Sequence, residues 1–404
     1  MNIFLFLFSD YFSTSVIMVT FIRNLKASEF GMRIREKFYP SKKNDPATTA
    51  HLEQSMNRFS ECNHKKNASQ ITEEIQICKK YWKCYPYHYY MQDLYRKDRE
   101  LTKEELINFI PHFFYNYLFL PFHASPKFSM IANNKIITDH IFNALKINKP
   151  ETLCSLFNGK LYASDMLPCS YGQVQKRVCE NDYEKIFVKP ADGAGGKGIY
   201  IFHKMENGNY ETRQNLSFND HFLEMIGKNN NYIIQPGIIQ DPEISKIYPY
   251  SVNTCRIITE NKNGSVRLVC AMLRLGRGHS DVDNASTGGI CTNININNGK
   301  FGDFAISYDG EKFSKHPDTQ FVFSDKGISR WDEIETFTTQ CAGKLPFFKY
   351  LGWDIALTTQ KPLVVEINSS PAVDIIEKTC CGLRERFGID DPDYYWKNTG
   401  KKLR

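Results

Sequence analysis

A glycine-rich segment with lysines before and inside it is the part of this sequence that best fits phosphate chemistry. Residues 187–202 read FVKPADGAGGKGIYIF. The segment contains four glycines, which are Gly193, Gly195, Gly196 and Gly198. Glycine lets backbone N–H groups approach an anion closely and accepts positive φ angles. Lys189 precedes the loop and Lys197 lies within it, so two positive charges are available to a bound phosphate.

The elements on either side of the loop decide between the known uses of such a segment. A dinucleotide-binding loop joins a strand to a helix, whereas strand-like residues occur here on both sides, at 186–190 and 198–202. A Walker A loop needs Ser or Thr after its lysine, but Gly198 follows Lys197. In protein kinases the lysine follows the loop, and neither HRD nor DFG occurs in this chain. The sequence therefore favours a hairpin loop with a lysine before it, although a plain glycine-rich hairpin stays an alternative.

A second group of polar residues near the C-terminus has the character of a hard-metal site. Glu366 and Asn368 are two apart on the strand-like run VVEIN, so both point to one face, and Val365 and Ile367 point to the core. Asp354, on the preceding predicted strand, could lie beside them. Two carboxylates and an amide suit Mg²⁺ that bridges the phosphates of ATP. The alternative is a strand with a polar outer face, but the phosphate loop favours the metal.

Strands that could position these residues dominate the second half of the chain. Residues 232–236 (YIIQP) are predicted as a strand, and the β-branched runs CRIITE, VRLVCAMLRL, ICTNINI and PLVVEIN follow, separated by Asn-Gly and Asp-Gly turns. Helical spacing is found at 135–145 and 217–229. Residues 51–123 are predicted as mainly helical, and Thr102 with Glu105 forms a capping box there.

Composition and charge limit the class of protein. The 404 residues are 42% hydrophobic, which is enough for two or three packed subdomains. A net charge of +6 is mild over this length and does not indicate nucleic-acid binding. The twelve cysteines have no CxxC pair or zinc spacing, which indicates reduced thiols in a cytoplasmic protein. Met1–Arg23 is apolar but interrupted by Asp10, so it predicts either a packed helix or a peripheral contact with the inner face of a membrane.

Taken in order, these motifs resemble the ATP-grasp superfamily. A lysine, a glycine-rich hairpin, the YIIQP hinge and then Asp354, Glu366 and Asn368 are similar to the pattern of D-alanine ligases and ribosomal-protein glutamate ligases. The phrases SVNTCRIIT, VDNASTGGI, WDIALT and VVEINSSP resemble more narrowly the sugar-transfer-associated ATP-grasp family, over roughly residues 80–380. The resemblance implies an α+β fold in which two α+β subdomains clamp ATP, preceded by a helical domain.

The implied domains divide the chain into five parts. They are an apolar N-terminal segment and linker (1–50), a helical domain (51–125), a region before the ATP-grasp fold (126–180), a small subdomain with the glycine-rich loop (181–237), and a large subdomain with the metal site and a C-terminal cap (238–404).

The resemblance also implies roles for individual residues. The ATP-binding set would be Lys135, Lys189, Gly193, Gly195, Gly196, Lys197, Gly198, Gln235, Pro236, Gly237 and Ile238. The ribose would be held by Asp241 or Glu243. Charge on the transferred phosphoryl group would be stabilised by Arg256 and Arg274. The substrate side would include Asn284, Gly288 and Gly289, and Mg²⁺ would be bound by Asp354, Glu366 and Asn368.

Three positions depart from the pattern or stay open. Gln235 stands where many relatives carry Glu, and the acidic residue expected after Gly288-Gly289-Ile290 is missing from the run CTNININNG. His279 fits either a catalytic base or an ordinary loop residue.

The implied activity is an ADP-forming carboxylate–amine ligation through an acyl-phosphate. Its partners would be a small-molecule or saccharide carboxylate and an amine, in surface polysaccharide synthesis, with ATP and Mg²⁺ as cofactors. Two alternatives stay open: an ATP-grasp kinase that phosphorylates a hydroxyl, and a non-catalytic nucleotide-binding protein. The lysines and the Asp–Glu–Asn set favour an enzyme over the last of these.

Overall fold

The structure is a computed structural model that describes residues 46–193, 196 and 198–402. The predictions for Met1–Arg23, Gly195 and Lys197 lie outside these residues. Within the described part of the chain, no helix has both the length and the apolar character needed to cross a membrane. The described residues form two compact units: Ser125–Pro371 is one, and residues 46–124 together with 372–402 form the other.

The discontinuous unit is helical. Its elements are the helices Pro46–Glu61, Ala68–Trp82, His88–Met91, Lys103–Asn108, His112–Phe114, Leu120–His123, Asp374–Thr379 and Pro392–Lys402, with a π-helix at Tyr115–Phe119. The predicted capping box is confirmed, because the Thr102 hydroxyl accepts from the Glu105 N–H while the Glu105 carboxylate accepts from the Thr102 N–H.

Aromatic packing explains why the C-terminal residues belong to this unit. Trp396 is buried, and its indole N–H donates to the Trp82 carbonyl at 3.0 Å. Tyr395 packs edge-on against Phe114 at 5.6 Å between ring centroids. The sequence analysis assigns 238–404 to the large subdomain with a C-terminal cap, whereas the structure groups residues 372–402 with the preceding helices.

The continuous unit contains two antiparallel sheets. The first has the strands β1 (Cys154–Phe157), β2 (Lys160–Tyr162), β3 (Lys185–Pro190), β4 (Tyr200–Lys204), β5 (Tyr210–Glu211) and β6 (Tyr232–Pro236). Their order is β2-β1-β6-β3-β4-β5. The second has β7 (Cys255–Lys262), β8 (Ser265–Leu275), β9 (Ile290–Ile294), β10 (Phe301–Ser307), β11 (Lys312–Phe313), β12 (Tyr350–Ala356) and β13 (Leu363–Asn368). Their order is β11-β10-β9-β8-β7-β12-β13.

Helices cover one side of each sheet. In this unit they are Ser129–Asn133, Lys135–Ala144, Tyr171–Asn181, Asp220–Gly227, Pro242–Ser245 and Trp331–Gly343, with 3₁₀ turns at Pro126–Phe128 and Ala285–Thr287. Phe222 and Val178 pack with Phe202 of the first sheet, and Trp331 packs with Trp353 of the second. Each sheet thus buries one face against helices. The first sheet also buries Ile233 of β6, which packs with Ile136 and Ala191 in a separate small cluster. The mixture of helices and antiparallel sheets confirms the predicted α+β class.

Candidate active site

Pairing between three neighbouring strands places the predicted polar residues in one row. Arg256 of β7 lies opposite Asp354 of β12, and Asp354 lies opposite Glu366 of β13. Residues directly opposite on adjacent strands share a face of the sheet. Their neighbours Trp353 and Ile367 point to the other face and are fully buried. The alternation in the sequence therefore becomes a polar row above an apolar core.

One residue of β13 departs from the expected alternation of core-facing and cleft-facing side chains. The pairing of β12 with β13 shifts between Asp354 and Ile355, so that Asp354 pairs with Glu366 but Ile355 pairs with Val364. Val365 is the extra residue, and such a bulge turns a side chain away from the strict alternation. Val365 lines the polar cleft. The prediction that it faces the core is therefore wrong, whereas Ile367 does face it.

Two arginines hold the carboxylate at the centre of the row. Arg256 donates through Nε and Nη2 to the two oxygens of Asp354, the second at 3.0 Å. Arg274 donates from Nη1 to Asp354 at 2.9 Å and from Nη2 to Asp283 at 3.0 Å. Charged hydrogen bonds of this kind are the strong ones in a buried setting. The two guanidinium groups are thus fixed beside each other.

The charges of this network follow from burial and pairing. Burial raises the pKa of Asp354, but Arg256 and Arg274 outweigh that effect and hold the pKa below its ordinary value. Burial lowers the pKa of Arg274, but Asp283 and Asp354 outweigh it and raise the pKa. Both groups are therefore charged at neutral pH. For Asp283 burial is the larger effect and raises the pKa, although Arg274 opposes it.

The two predicted lysines lie on the opposite wall. Lys135 is the first residue of its helix, and its ammonium group donates to the Gly193 carbonyl at 2.9 Å and lies 3.4 Å from the Glu366 carboxylate. Lys189 on β3 donates to the side-chain oxygen of Gln235 at 3.0 Å. The Lys189 side chain is half-buried, but its ammonium group is surrounded by protein. This desolvation lowers the pKa of Lys189 to about 8, with Glu366 raising it and Lys135 lowering it.

The glycine-rich loop has the backbone that its sequence predicts. Gly193, Gly196 and Gly198 have φ angles of 137°, 74° and 73°. A side chain is strained at such angles, which explains the glycines. Gly196 lines the cleft, and a Cβ added there would lie 3.9 Å from the amide nitrogen of Asn284. Asn284 therefore faces the loop.

The cleft also has apolar walls that could accept a flat base. They are formed by Phe187, Ile199, Pro236, Ile238, Val252 and Val365. The cleft encloses about 960 Å³ of empty space, part of it open to solvent. A pocket of this size with both apolar and charged walls suits a ligand such as a nucleotide.

Several predicted residues lie elsewhere. The Gln235 side chain forms hydrogen bonds with Lys189 and Thr152. Gln in place of Glu therefore puts a neutral amide, rather than a carboxylate, beside the Lys189 ammonium group. The Gly237 N–H is used by the Lys185 carbonyl. Asp241 pairs with Arg330 at 3.0 Å and does not line the cleft.

The remaining alternatives from the sequence also have other contacts. Glu243 accepts from the N–H and hydroxyl of Ser329, so neither candidate for the ribose faces the cleft. Gly288 and Gly289 do not line it either, and Gly289 is buried. His279 is exposed and packs on Tyr250 at 4.7 Å between ring centroids, which favours the loop reading.

Sequence reasoning missed two carboxylates of the cleft, Asp281 and Asp283. Both line it, and both are engaged by cations. The available signal was their spacing in DVDNASTGGI, two residues apart, with Asp283 directly before Asn284. Asp281 pairs with Lys185, which is 96 residues away, and Asp283 meets Arg274 only because the chain turns between β8 and β9, so the spacing alone could not assign them.

Comparison with known proteins now places the chain. The family described as sugar-transfer associated ATP-grasp matches residues 116–387, which is more than half of the sequence. The chain belongs to this ATP-grasp family. No curated protein sequence is similar enough to count as a match.

Solved structures of other ATP-grasp proteins are similar at low identity. D-alanyl-alanine synthetase A from Vibrio cholerae is 12% identical, with a TM-score of 0.39 over 68% of this chain and 68% of that one. D-alanine–D-alanine ligase from Coxiella burnetii is 12% identical, with a TM-score of 0.38 over 67% and 60%. Biotin carboxylase from Campylobacter jejuni is 12% identical, with a TM-score of 0.40 over 69% of this chain but only 48% of that one. This ATP-grasp chain thus spans about half the length of the carboxylase.

The donor set of the row fits Mg²⁺ of the ATP-grasp type. Asp354 and Glu366 face each other, and the Asn368 side-chain nitrogen is buried without a hydrogen-bond partner. No group of three His, Cys, Asp or Glu side chains in the described part of the chain could hold a metal. The predicted set consists of two carboxylates and one amide. Mg²⁺ commonly takes one or two carboxylates and completes its shell with substrate phosphates and water.

Proposed function

We propose that this protein is an ATP-dependent, ADP-forming carboxylate–amine ligase that works through an acyl-phosphate. The observation that carries the proposal is the convergence of four cations, Lys135, Lys189, Arg256 and Arg274, on one cleft with the Asp354–Glu366 pair. Family membership supports ATP as the ligand of that cleft. The apolar walls would accept adenine, and the charged walls the phosphates.

The cations would act by position and charge rather than by covalent chemistry. Phosphoryl transfer develops charge on the transferred group, and fixed cations in a site closed from water stabilise it. Lys135 and Lys189 lie on the wall with the glycine-rich loop and would hold the phosphates of ATP. Arg256 and Arg274 lie across the cleft and would neutralise the phosphoryl group as it moves to the carboxylate substrate.

Mg²⁺ would be held by Asp354, Glu366 and Asn368, and when bound it neutralises phosphate charge and orients the phosphates. Both oxygens of Asp354 bind arginine in the structure, so the carboxylate must exchange partners. The same exchange frees guanidinium N–H groups for phosphate. Binding of the metal and of the nucleotide are therefore coupled through one carboxylate.

Activation of the carboxylate explains why the reaction needs ATP. A free carboxylate is a poor target for an amine, because its oxygen leaves with difficulty. An oxygen of the substrate carboxylate would attack the γ-phosphorus, and ADP would leave. The amine would then attack the acyl carbon, phosphate would leave with both electrons of the C–O bond, and a proton of the amine would pass to the departing phosphate or to water. No serine or cysteine nucleophile is needed.

We propose that the acid is a carboxyl-bearing sugar or an amino acid of surface polysaccharide synthesis. The support is the sugar-transfer association of the family. We place the reaction in the cytoplasm, as the spacing of the cysteines led us to expect. Contact with the inner face of a membrane would involve Met1–Arg23.

The test is a titration of Mg-ATP, followed by an assay of ADP release against amino acids and uronic acids offered with amines. Glu366→Ala should lose turnover because it removes a predicted metal ligand. The matched control is Asp303→Asn, an exposed carboxylate on β10 of the same sheet. Release stimulated only by an acid–amine pair, with an amide product, supports the proposal. A stable phosphoester on a hydroxyl compound would establish a kinase instead, and absence of ATP binding would overturn the site.

A further inference from the structure

The segment from Gly276 to Gly289, which joins β8 to β9, has a tightly fixed path; we call it the connector. A Cβ added at Gly276 would lie 2.5 Å from the Tyr248 ring, and one at Gly289 would lie 2.6 Å from the Asp283 carbonyl oxygen. Such distances leave no room for a side chain, so both ends of the connector are packed against backbone and ring atoms.

Both carboxylate oxygens of Asp283, in the connector, accept hydrogen bonds. One oxygen accepts from Arg274 at 3.0 Å. The other accepts from the N–H and the hydroxyl of Thr254, the former at 3.0 Å. The residue is only 8% exposed. A buried carboxylate with this set of donors has one stable orientation.

Asp281, two residues earlier, binds the other sheet. Its carboxylate lies 2.7 Å from Lys185, 3.2 Å from His203 and 2.9 Å from Arg213. These residues belong to β3, β4 and the segment after β5. The connector is therefore anchored independently of Arg274, and changes at Asp283 need not release it.

The two arginines of the site differ in how they are held. The hydrogen bonds of Arg256 go to Asp354 alone among the described residues, whereas Arg274 binds both Asp354 and Asp283. If Asp354 turns to a metal, Arg256 loses its only carboxylate partner within that part of the chain. Arg274 keeps Asp283 and hence its position.

We propose that Asp283 is a positioning residue that holds the Arg274 guanidinium toward the transferred phosphoryl group when Asp354 is engaged elsewhere. The proposal rests on the proposed function, because it needs a phosphoryl group in the cleft. Arg256 then acts as the mobile cation and Arg274 as the fixed one. An alternative role, in which Asp283 only secures the connector through Thr254, makes different predictions.

The test compares the binding of Mg-ADP with the binding of Mg-ADP plus aluminium fluoride, which mimics the transferred phosphoryl group. Calorimetry gives both dissociation constants. The constant for Mg-ADP divided by the constant for the aluminium fluoride complex is the ratio used below, and it reports contacts made only to the transferred group. Asp283→Asn is close to isosteric, but its amide has one acceptor oxygen for two sets of donors. We expect the ratio to fall about tenfold or more, while the Mg-ADP dissociation constant changes less than about threefold.

A double-mutant cycle separates positioning from a structural role. Arg274→Gln should lower the ratio to a similar extent, and adding Asp283→Asn to it should change the ratio by less than about twofold, because the residue acts through Arg274. The control is Glu311→Gln, an exposed carboxylate 3.8 Å from Arg277 of the connector, which should leave the ratio unchanged. Independent, multiplying effects of the two substitutions would overturn the proposal.

A second variant covers the case in which Asp283→Asn does not fold. Thr254→Val keeps the carboxylate charged and removes one of its donors, so it should lower the ratio by a smaller factor, about two- to fivefold. Equal weakening of both complexes by Thr254→Val or by Asp283→Asn would show a structural role and overturn positioning. A wild-type protein that binds neither complex would instead overturn the nucleotide site itself, and the positioning role with it.

Discussion

Nucleotide binding should weaken as the pH rises above about 8, because the Lys189 ammonium group then loses its proton in the free protein. Desolvation lowers the pKa of Lys189 to about 8, while an ordinary lysine titrates near 10.5. The groups that face it are Glu366, Lys135 and the neutral amide of Gln235. None of them fully offsets the desolvation. A bound phosphate would supply the missing negative charge and return the pKa toward its ordinary value.

The size of the effect follows from this difference. Affinity should fall about tenfold for each pH unit above 8, and ~150-fold in total by pH 10.5, where the lysine of the complex is itself half neutral. At pH 9 only about a tenth of the free protein carries the proton, so binding should take up about 0.9 proton. Below pH 7.5 the dependence on this group should vanish.

The assay is calorimetric titration of Mg-ADP between pH 7.5 and 9.5 in pairs of buffers with different ionisation enthalpies. The difference between buffers gives the number of protons taken up. Lys189→Arg is the matched control, since a guanidinium stays charged throughout this range. Its affinity should be lower but flat with pH. A wild-type affinity that is constant from pH 7.5 to 9.5, with no proton uptake, would refute the reasoning for Lys189.

Three further outcomes follow from contacts in the same unit. Lys189→Met should raise the free energy of unfolding at pH 7 by about 1 kcal/mol. The difference from the wild type should shrink toward pH 10.5. In the wild type the unfolded chain keeps the Lys189 proton to higher pH than the folded protein does, so the stability of the folded wild type rises with pH. Urea unfolding at several pH values measures this difference, and a Lys189→Met variant less stable than the wild type at pH 7 would contradict the prediction. Gly289→Ala should lower the free energy of unfolding by about 1–3 kcal/mol, because the added methyl group overpacks the site. Gly343→Ala has open space at its Cβ, so its free energy of unfolding should be within ~0.5 kcal/mol of the wild type. Mn²⁺ without nucleotide should bind too weakly to detect by electron paramagnetic resonance, because arginines hold both oxygens of Asp354; tight binding would show that the carboxylate is free.

Local sequence patterns were sufficient to predict the strands and the helix that position the site residues. Strand periodicity placed Glu366 and Asn368 on one face, and the helix, loop and strands around Lys135 and Lys189 lie where the sequence predicted them. These features depend on residues close together in the chain. Composition and spacing can therefore identify them.

Features set by pairing between distant segments could not be predicted in this way. The extra residue Val365 arises from the register between β12 and β13, which no local pattern specifies. Asp283 acquires its partner Arg274 only through the path of the connector. Asp241 was a reasonable candidate for the ribose by position, but its carboxylate is taken by Arg330, 89 residues away.

The hydrogen bond between the Trp396 indole and the Trp82 carbonyl has a consequence for synthesis of the chain. The helical unit is interrupted by the whole of Ser125–Pro371, so its core cannot close until roughly 250 further residues have been translated. At ~5–20 residues per second this delay is ~12–50 s. The inserted unit can form its sheets during that interval, whereas the earlier helices wait with exposed aromatic surface. A chaperone would therefore meet the part of the protein that is made first and completed last.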